Sequence, residues 1–267
     1  MKSSKIYKTN YEEIQKKRLE KFYLMVHVVK IEVPIKRKKE IYKTEITLIY
    51  GFNLQGKKTI IGIYEEDKEN ARYWLEVMEK IKSRNLEKIK FISMEENKKL
   101  LRAIKIVYNE VEIIPSANTI ISKIVSYAPN RYRDETGREI LKIFLAEDIQ
   151  ESLKVKKELE EKYSDNKLVL VLLEKYKKQI EEYYQYSKEF RHLFCSYYTI
   201  RVMLYKFKNA INKRETYFSE LEEIVNNGLE EYLAKFEANR SYKKKDWIKI
   251  QNEVYLKYEK EIEEYMI

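Results

Sequence analysis

The chain is poor in residues that interrupt regular structure and in residues that cross-link it: 3 Pro, 5 Gly, 1 Cys and 2 His among 267 positions. So little Pro and Gly leaves no long flexible linker and points to a chain dominated by helices. A lone Cys195 excludes an internal disulfide and suits a reducing compartment. With only His27 and His192 beside it, a Cys/His zinc site lacks ligands. No apolar run approaches the ~20 residues of a membrane span. The N-terminal stretch MKSSKIYKTNYEEIQKKRLEK is charged throughout and lacks the apolar centre of a secretion signal. These absences predict a cytoplasmic protein with no membrane partner.

What is present is a globular composition. Hydrophobic residues make up 44% and charged residues 37%, with both signs mixed, so a core and a solvated surface both have material. The formal net charge is +10, which favours polyanionic partners, nucleic acid first among them. Lys, Ile, Tyr, Glu and Asn are all abundant, as in a protein from an A+T-rich genome, and that bias inflates lysine by itself.

Along the chain the hydrophobic period changes several times. Residues Asn10 to Lys21 read as a short charged helix. FYLMVHVVKIEV, Phe22 to Val33, is rich in β-branched and aromatic residues and reads as a strand that Pro34 ends. Strands follow near 45–54 and 58–64, joined by the turn Leu54-Gln55-Gly56-Lys57, which suggests an antiparallel meander. From Glu66 to Arg84, residues Ala71, Trp74, Leu75, Met78 and Ile81 recur at helical spacing, with Trp74 on the apolar face. A strand near 88–94, a helix over Glu96 to Val107 and a strand near 110–114 then alternate, which predicts parallel pairing. Beyond Asn130 the pattern is helical: Arg138 to Ala146, Ile149 to Tyr163, Lys167 to Tyr186, Ser187 to Asn212, Ser219 to Asn239 and Asp246 to Met266. The expected fold is α/β, a ribonuclease-H-like mixed sheet in the order βββαβαβ, with a large helical insertion and a helical C-terminal region. The expected organisation is a helical lead-in over 1–21, a core over 22–129, the insertion over 130–190 and C-terminal helices over 191–267.

Specific residue blocks add to this. Gly51-Phe52-Asn53, Gly56-Lys57-Lys58-Thr59-Ile60-Ile61-Gly62-Ile63, Glu69 through Met78 with Trp74, and Ile81-Lys82-Ser83-Arg84-Asn85-Leu86 resemble bacterial Mutator-type insertion-sequence transposases. The family pattern is roughly G-x-[KR]-x-[IL]-L-G-[IV], then E-[SN]-x-x-x-W, then L-K-x-R-G. The later stretch YQYSKEFRHLFCSYYTIRVMLYKFKNAINKRETYF is similar to the segment that carries Y-T-T-N-x-I-E. The resemblance covers roughly residues 20 to 265. It implies a catalytic region for DNA strand transfer, without most of the helical DNA-binding region that family members carry ahead of it.

The resemblance also implies a site. Strand transfer on this fold uses two divalent metals held by carboxylates, one metal activating the attacking oxygen and the other stabilising the leaving one. Magnesium requires hard oxygen ligands. Carried over position by position, the first family Asp falls on Met25, whose thioether cannot serve. The second falls on Glu95 when counted back from Ala103-Ile104, or on Met94 when counted forward from Ser93. The third falls on Arg201, a cation that repels metal. The family's C-x-x-H pair corresponds to Ser116-Ala117-Asn118-Thr119, with neither type kept. Glu95 is therefore the one retained carboxylate, no metal ligand set is expected, and magnesium is implied only if the chain is catalytic. Compensation by Glu32 or Glu45 is set against their simpler reading as solvated positions on a sheet edge. His192 and Cys195, three apart on one helix face, read as packing.

Basic clusters complete the reading. Lys36, Arg37 and Lys38 lie in the predicted hairpin turn, Arg131 and Arg133 precede the insertion, and Arg201, Lys206, Lys208, Lys213 and Arg214 alternate with Tyr198, Tyr205 and Phe207. Cations interleaved with aromatics suit a phosphate backbone and unstacked bases. The expectation is a transposase-like, catalytically inactive, nucleoid-associated protein that binds double-stranded DNA. The alternative is a non-catalytic domesticated regulator, or a helical partner of an intact transposase. A homo-oligomer and an intact transposase are the protein partners considered.

Overall fold

The structure is a computed structural model that describes residues 10–37, 40–65, 70, 72–95, 97–195, 220–238 and 242–265. The chain divides into two compact units.

The first unit, residues 1–114, 199–244 and 260–267, is built on a five-stranded sheet of order β3-β2-β1-β4-β5. The strands are β1 (Phe22–Arg37), β2 (Glu40–Phe52), β3 (Lys58–Glu65), β4 (Lys88–Met94) and β5 (Glu112–Pro115). β1, β2 and β3 form the antiparallel meander, and β1 pairs with β4 in parallel, both as expected. Three helices belong to this half of the chain: α1 (Tyr11–Lys16), α2 (Tyr73–Ser83) and α3 (Lys98–Val107). One sheet face carries Val26, Val28, Ile49, Ile61 and Ile92, packed with Trp74, Met78 and Ile81 of α2 and Leu100, Ala103 and Ile104 of α3. The opposite face meets α11 (Glu230–Ala238), which follows a short α10 (Leu221–Ile224) and a π-helical turn over 225–229. Ile31, Ile46, Leu48 and Ile63 of the sheet line a small void there with Leu229, Tyr232 and Leu233.

Pro34 does not end β1. The strand continues to Arg37, and β2 begins at Glu40, in unbroken register from Met25↔Phe52 to Arg37↔Glu40. The reason is positional. Pairing with β4 stops at Val28, so at Pro34 only β2 lies alongside, and an edge tolerates a residue without an N–H. The turn from β2 to β3 is organised by Asn53, whose Oδ1 accepts the N–H groups of Gln55 and Lys57 at 3.1 and 2.9 Å. Gly56 sits there at φ 75°, a left-handed conformation that favours glycine.

The second unit, residues 115–198 and 245–259, is helical. It contains α4 (Ala117–Ser126), α5 (Arg133–Leu145), α6 (Ile149–Lys162), α7 (Lys167–Lys175), α8 (Lys177–Tyr183), α9 (Lys188–Phe194) and most of α12 (Lys244–Ile262). The sequence reading missed α4, although Ile120, Ile121, Ile124 and Val125 repeat at helical spacing and Ser116 caps its start through Thr119 N–H. The helix expected over Lys167 to Tyr186 is two, broken at Tyr176. The one expected from Ser187 ends at Phe194 with Cys195 as its cap, and its remainder lies outside the described residues. The helix expected from Glu66 begins at Tyr73.

Among the described residues no helix is long and apolar enough to cross a membrane.

Candidate functional site

β1 and β4 position the residues singled out for chemistry. Their parallel register sets Met25 level with Phe91, His27 with Ser93 and Val28 with Met94. Met25 is 0% exposed. Glu95, half-buried, follows the last of these pairs. It thus lies four residues along β4 past the level of Met25, roughly 13 Å at the rise of a strand. On β2 the neighbour of Met25 is Phe52 and that of His27 is Tyr50.

These aromatics close over the sheet. The His27 ring stacks on Tyr50 at 4.9 Å and meets Phe52 edge-on at 6.1 Å. Tyr50 meets Phe236 of α11 at 5.1 Å, and Phe52 meets Tyr242 at 5.6 Å, both edge-on. Lys58 of β3 places its ammonium 3.7 Å from the centroid of the Phe236 ring. Burial pushes the Lys58 ammonium down to about 8, and the Glu237 carboxylate opposes that shift. Glu237 also accepts the backbone N–H of Ile60 at 2.7 Å and pairs with Lys17 at 3.0 Å. One carboxylate thereby joins α11, the β3 backbone and the residue that caps α1.

Met25, and Glu95 or Met94, are the described positions onto which the resemblance carries metal ligands, and a methionine there supplies no hard oxygen for magnesium. Met25 offers sulfur rather than oxygen and is fully buried, and Glu95 follows β4 four residues past its level. Among the described residues no group of three or more His, Cys, Asp or Glu could hold a metal ion. Glu32 and Glu45 face each other directly across β1 and β2, are exposed, and Glu45 pairs with Lys30. Glu32 is seven residues beyond Met25, roughly 23 Å of strand.

The expected basic residues fall in different places. Arg201, Lys206, Lys208, Lys213 and Arg214 lie outside the described residues, as does Lys38. Lys36 and Arg37 are the last two positions of β1, opposite Ile41 and Glu40. In the second unit Arg131 lies over the Tyr132 ring at 4.6 Å, beside a groove of about 870 Å³ lined by Tyr132, Tyr163 and Leu168. Arg133 is engaged in the fold, donating to Ser126 O at 3.0 Å and Ala128 O at 3.4 Å beyond the end of α4. His192 is exposed on α9, and Cys195, the cap of that helix, is half-buried. Desolvation pushes the imidazole down and the thiol up.

A family model described as "Transposase, Mutator family" matches residues 3–235. The chain belongs to that family. No curated protein matches the chain. The Mutator blocks, seen in place, serve the fold. In the first block Gly56 adopts its positive φ, Lys58 caps the Phe236 ring, and a Cβ on Gly62 would lie 2.4 Å from the Tyr64 ring. In the second, Trp74 is buried against Tyr64, with ring centroids 6.4 Å apart. In the third, Arg84 donates to Ile61 O, Ile14 O and Lys17 O at 2.6, 2.8 and 2.9 Å, so one guanidinium ties β3 to the C-terminal half of α1 and its cap. Asn85, where the Mutator pattern has glycine, sits at φ 87°.

Two buried cations were not anticipated. Lys90 of β4 pairs with Glu112 at 2.6 Å and Glu261 at 2.9 Å. Its burial works against the charge, but the two carboxylates outweigh that and hold its pKa above the ordinary lysine value. In the second unit the buried Arg191 donates to Phe144 O at 3.1 Å, Tyr186 O at 2.7 Å and Ala146 O. The i, i+2 spacing of Lys88 and Lys90, and of Glu110 and Glu112, was a usable signal for the first cluster. Nothing local signalled the second.

Proposed function

We propose that this Mutator-family chain has a ribonuclease-H-like core that no longer performs metal-dependent strand transfer and acts instead by binding duplex DNA. The sheet order β3-β2-β1-β4-β5, with an antiparallel meander and a parallel β4, supports the ribonuclease-H-like reading. The helices over 130–190 are then an insertion into that core, and those beyond 191 its C-terminal complement.

The observation that carries the proposal is Met25. At the position of the first family carboxylate stands a fully buried thioether, flanked in register by Phe52 and Phe91. Two divalent ions bring four positive charges into a space of a few ångströms, and only carboxylates with the scissile phosphate offset them. An aromatic layer has no such capacity. At the third position Arg201 adds a cation, which suits gripping a phosphate rather than cutting beside one. Residues 1–114 hold 26 Lys and Arg against 17 Asp and Glu, a net +9 of the +10 of the whole chain, so this part contributes DNA affinity beside Arg201.

The test is fluorescence anisotropy on labelled duplex across a salt series, run beside a cleavage assay in magnesium and manganese. Binding that weakens steeply with salt, together with no cleavage, supports the proposal. Salt-independent binding refutes its DNA half, and metal-dependent cleavage refutes its catalytic half.

A further inference from the structure

The antiparallel pairing of β1 with β2 outruns the rest of the sheet. β4 lies beside β1 only as far as Val28, and β3 lies beside β2 only as far as Ile46. Beyond both, six further pairs run from Glu32↔Glu45 to Arg37↔Glu40. Among the described residues these pairs form a two-stranded ribbon, roughly 20 Å long at the rise of a strand, with no third strand on either side. A lone hairpin is marginally stable. This one is anchored at its base, where Ile31, Ile46 and Val33 are buried. The outer end begins at Pro34↔Lys43.

Charge along the ribbon is uneven. Over its base and middle, Lys30 and Lys43 are balanced by Glu32 and Glu45, and Lys30 pairs with Glu45. The far end, residues 36–40, holds Lys36, Arg37, Lys38 and Lys39 against Glu40, a net +3. That is a third of the net +9 carried by residues 1–114. Lys36 and Arg37 are the last two positions of β1, while Lys38 and Lys39 lie outside the described residues. Tyr42, opposite Ile35, is 48% exposed, and its hydroxyl donates to Glu40. Among the described residues it is one of two large hydrophobic side chains exposed in the first unit. Charge on a free strand edge can serve only to discourage pairing between chains. An exposed ring beside the charge does not serve that end, and the two together suit a surface of phosphates and bases.

The dimensions fit one groove of a duplex. Paired strands lie about 4.8 Å apart, and the major groove of B-form DNA, about 12 Å wide, admits a two-stranded ribbon. The minor groove, about 6 Å wide, does not admit one without deformation. We propose that the outer end of the β1–β2 ribbon is an arm that enters the major groove of duplex DNA. Lys36, Arg37 and Lys43 supply charge for the flanking phosphates, and Tyr42 supplies the contact to base edges. The inference rests on the duplex-DNA reading above and adds which element meets the duplex and which groove it enters. A-form RNA has a major groove too deep and narrow for such an arm, so duplex RNA of the same sequence should bind more weakly.

The test is fluorescence anisotropy of the full chain on labelled duplex across a salt series, with dimethyl sulfate interference on the same duplex. Lys36→Ala with Arg37→Ala and Lys43→Ala should weaken binding about tenfold or more at moderate salt, and should lower the log–log salt slope by about 2–3, one phosphate contact for each cation removed. Its circular dichroism spectrum should match the parent's. Methylation of guanine N7, in the major groove, should impair binding of the parent but not of this variant, and methylation of adenine N3, in the minor groove, should impair neither. Tyr42→Ala should lose the N7 interference and keep the parent's salt slope. A triple variant that binds as the parent does, interference at adenine N3 with none at guanine N7, or equal affinity for duplex RNA overturns the arm and leaves the DNA-binding reading standing. A parent chain that binds no duplex at any salt overturns both.

Discussion

Met25 on β1 and Phe91 on β4 stand level in parallel register, both 0% exposed, where the family resemblance places the first metal-binding carboxylate. The relationship makes a prediction about introducing the carboxylate that the resemblance implies there. Met25→Asp should not recover magnesium affinity. It should destabilise the fold by about 3 kcal/mol or more, because a carboxyl group forced into an apolar layer lacks partners, and its pKa rises. Urea unfolding should show the loss, and calorimetric titration with magnesium should give no heat of specific binding.

Lys90 should behave as a buried charge whose value depends on its partners. Glu112→Ala with Glu261→Ala strands the ammonium and should cost about 3–5 kcal/mol. Lys90→Met removes the charge and keeps most of the volume, leaving two carboxylates that are about 40% exposed and can hydrate, so it should cost far less. Because the folded-state pKa of Lys90 is raised, its ion pairs stabilise the protein below the ordinary lysine pKa and fade as pH climbs above it. Denaturant midpoints of the three proteins at pH 7 test the ordering.

Lys58 should show the opposite pH dependence. Burial lowers its folded-state pKa to about 8 against the ordinary lysine value of 10.5, with Glu237 acting against the shift. The unfolded chain therefore holds this proton more tightly than the folded one between those values, so Lys58 contributes a stability that rises from about pH 8 towards 10.5. The difference in unfolding free energy between the parent chain and Lys58→Met, followed from pH 7 to pH 10, should move in favour of the parent as pH rises. A flat difference would show that Lys58 titrates normally.

Asn85 should separate backbone strain from side-chain bonding. At φ 87° it also donates from Nδ2 to Leu19 O at 3.0 Å. Asn85→Ala meets the same backbone without the bond and should cost about 1–3 kcal/mol. Asn85→Gly relieves the backbone while losing the bond, and should fall within about 1 kcal/mol of the parent. Thermal unfolding of both variants decides it.

The sheet was legible because its signals are local. Phe22 to Val33 is β-branched and aromatic, Gly56 punctuates a turn, and the spacing of Trp74, Met78 and Ile81 is helical. Element ends were less so. Pro34 looked like a stop because a sequence does not say which strands have a neighbour on both sides, and α4 went unseen behind Ser116. The family motifs were legible as a resemblance, yet their physical roles were not. Arg84 bonds to carbonyls more than twenty residues away, and Lys58 caps a ring on α11. Met25 could be named from sequence as the wrong chemistry for magnesium. Its complete burial, level with Phe52 and Phe91, depends on partners that only the folded chain brings together.

The central claim is loss of metal-dependent chemistry on DNA, and one measurement tests it most directly. The full chain is incubated with end-labelled duplex in magnesium and, separately, in manganese, with a chelator control, and the strands are resolved on a denaturing gel. The account predicts full-length strands in every lane, with neither nicked nor joined product. Product that forms with either metal and vanishes with chelator would contradict it, and would mean that the working carboxylates lie elsewhere than Met25, Glu95 and Arg201.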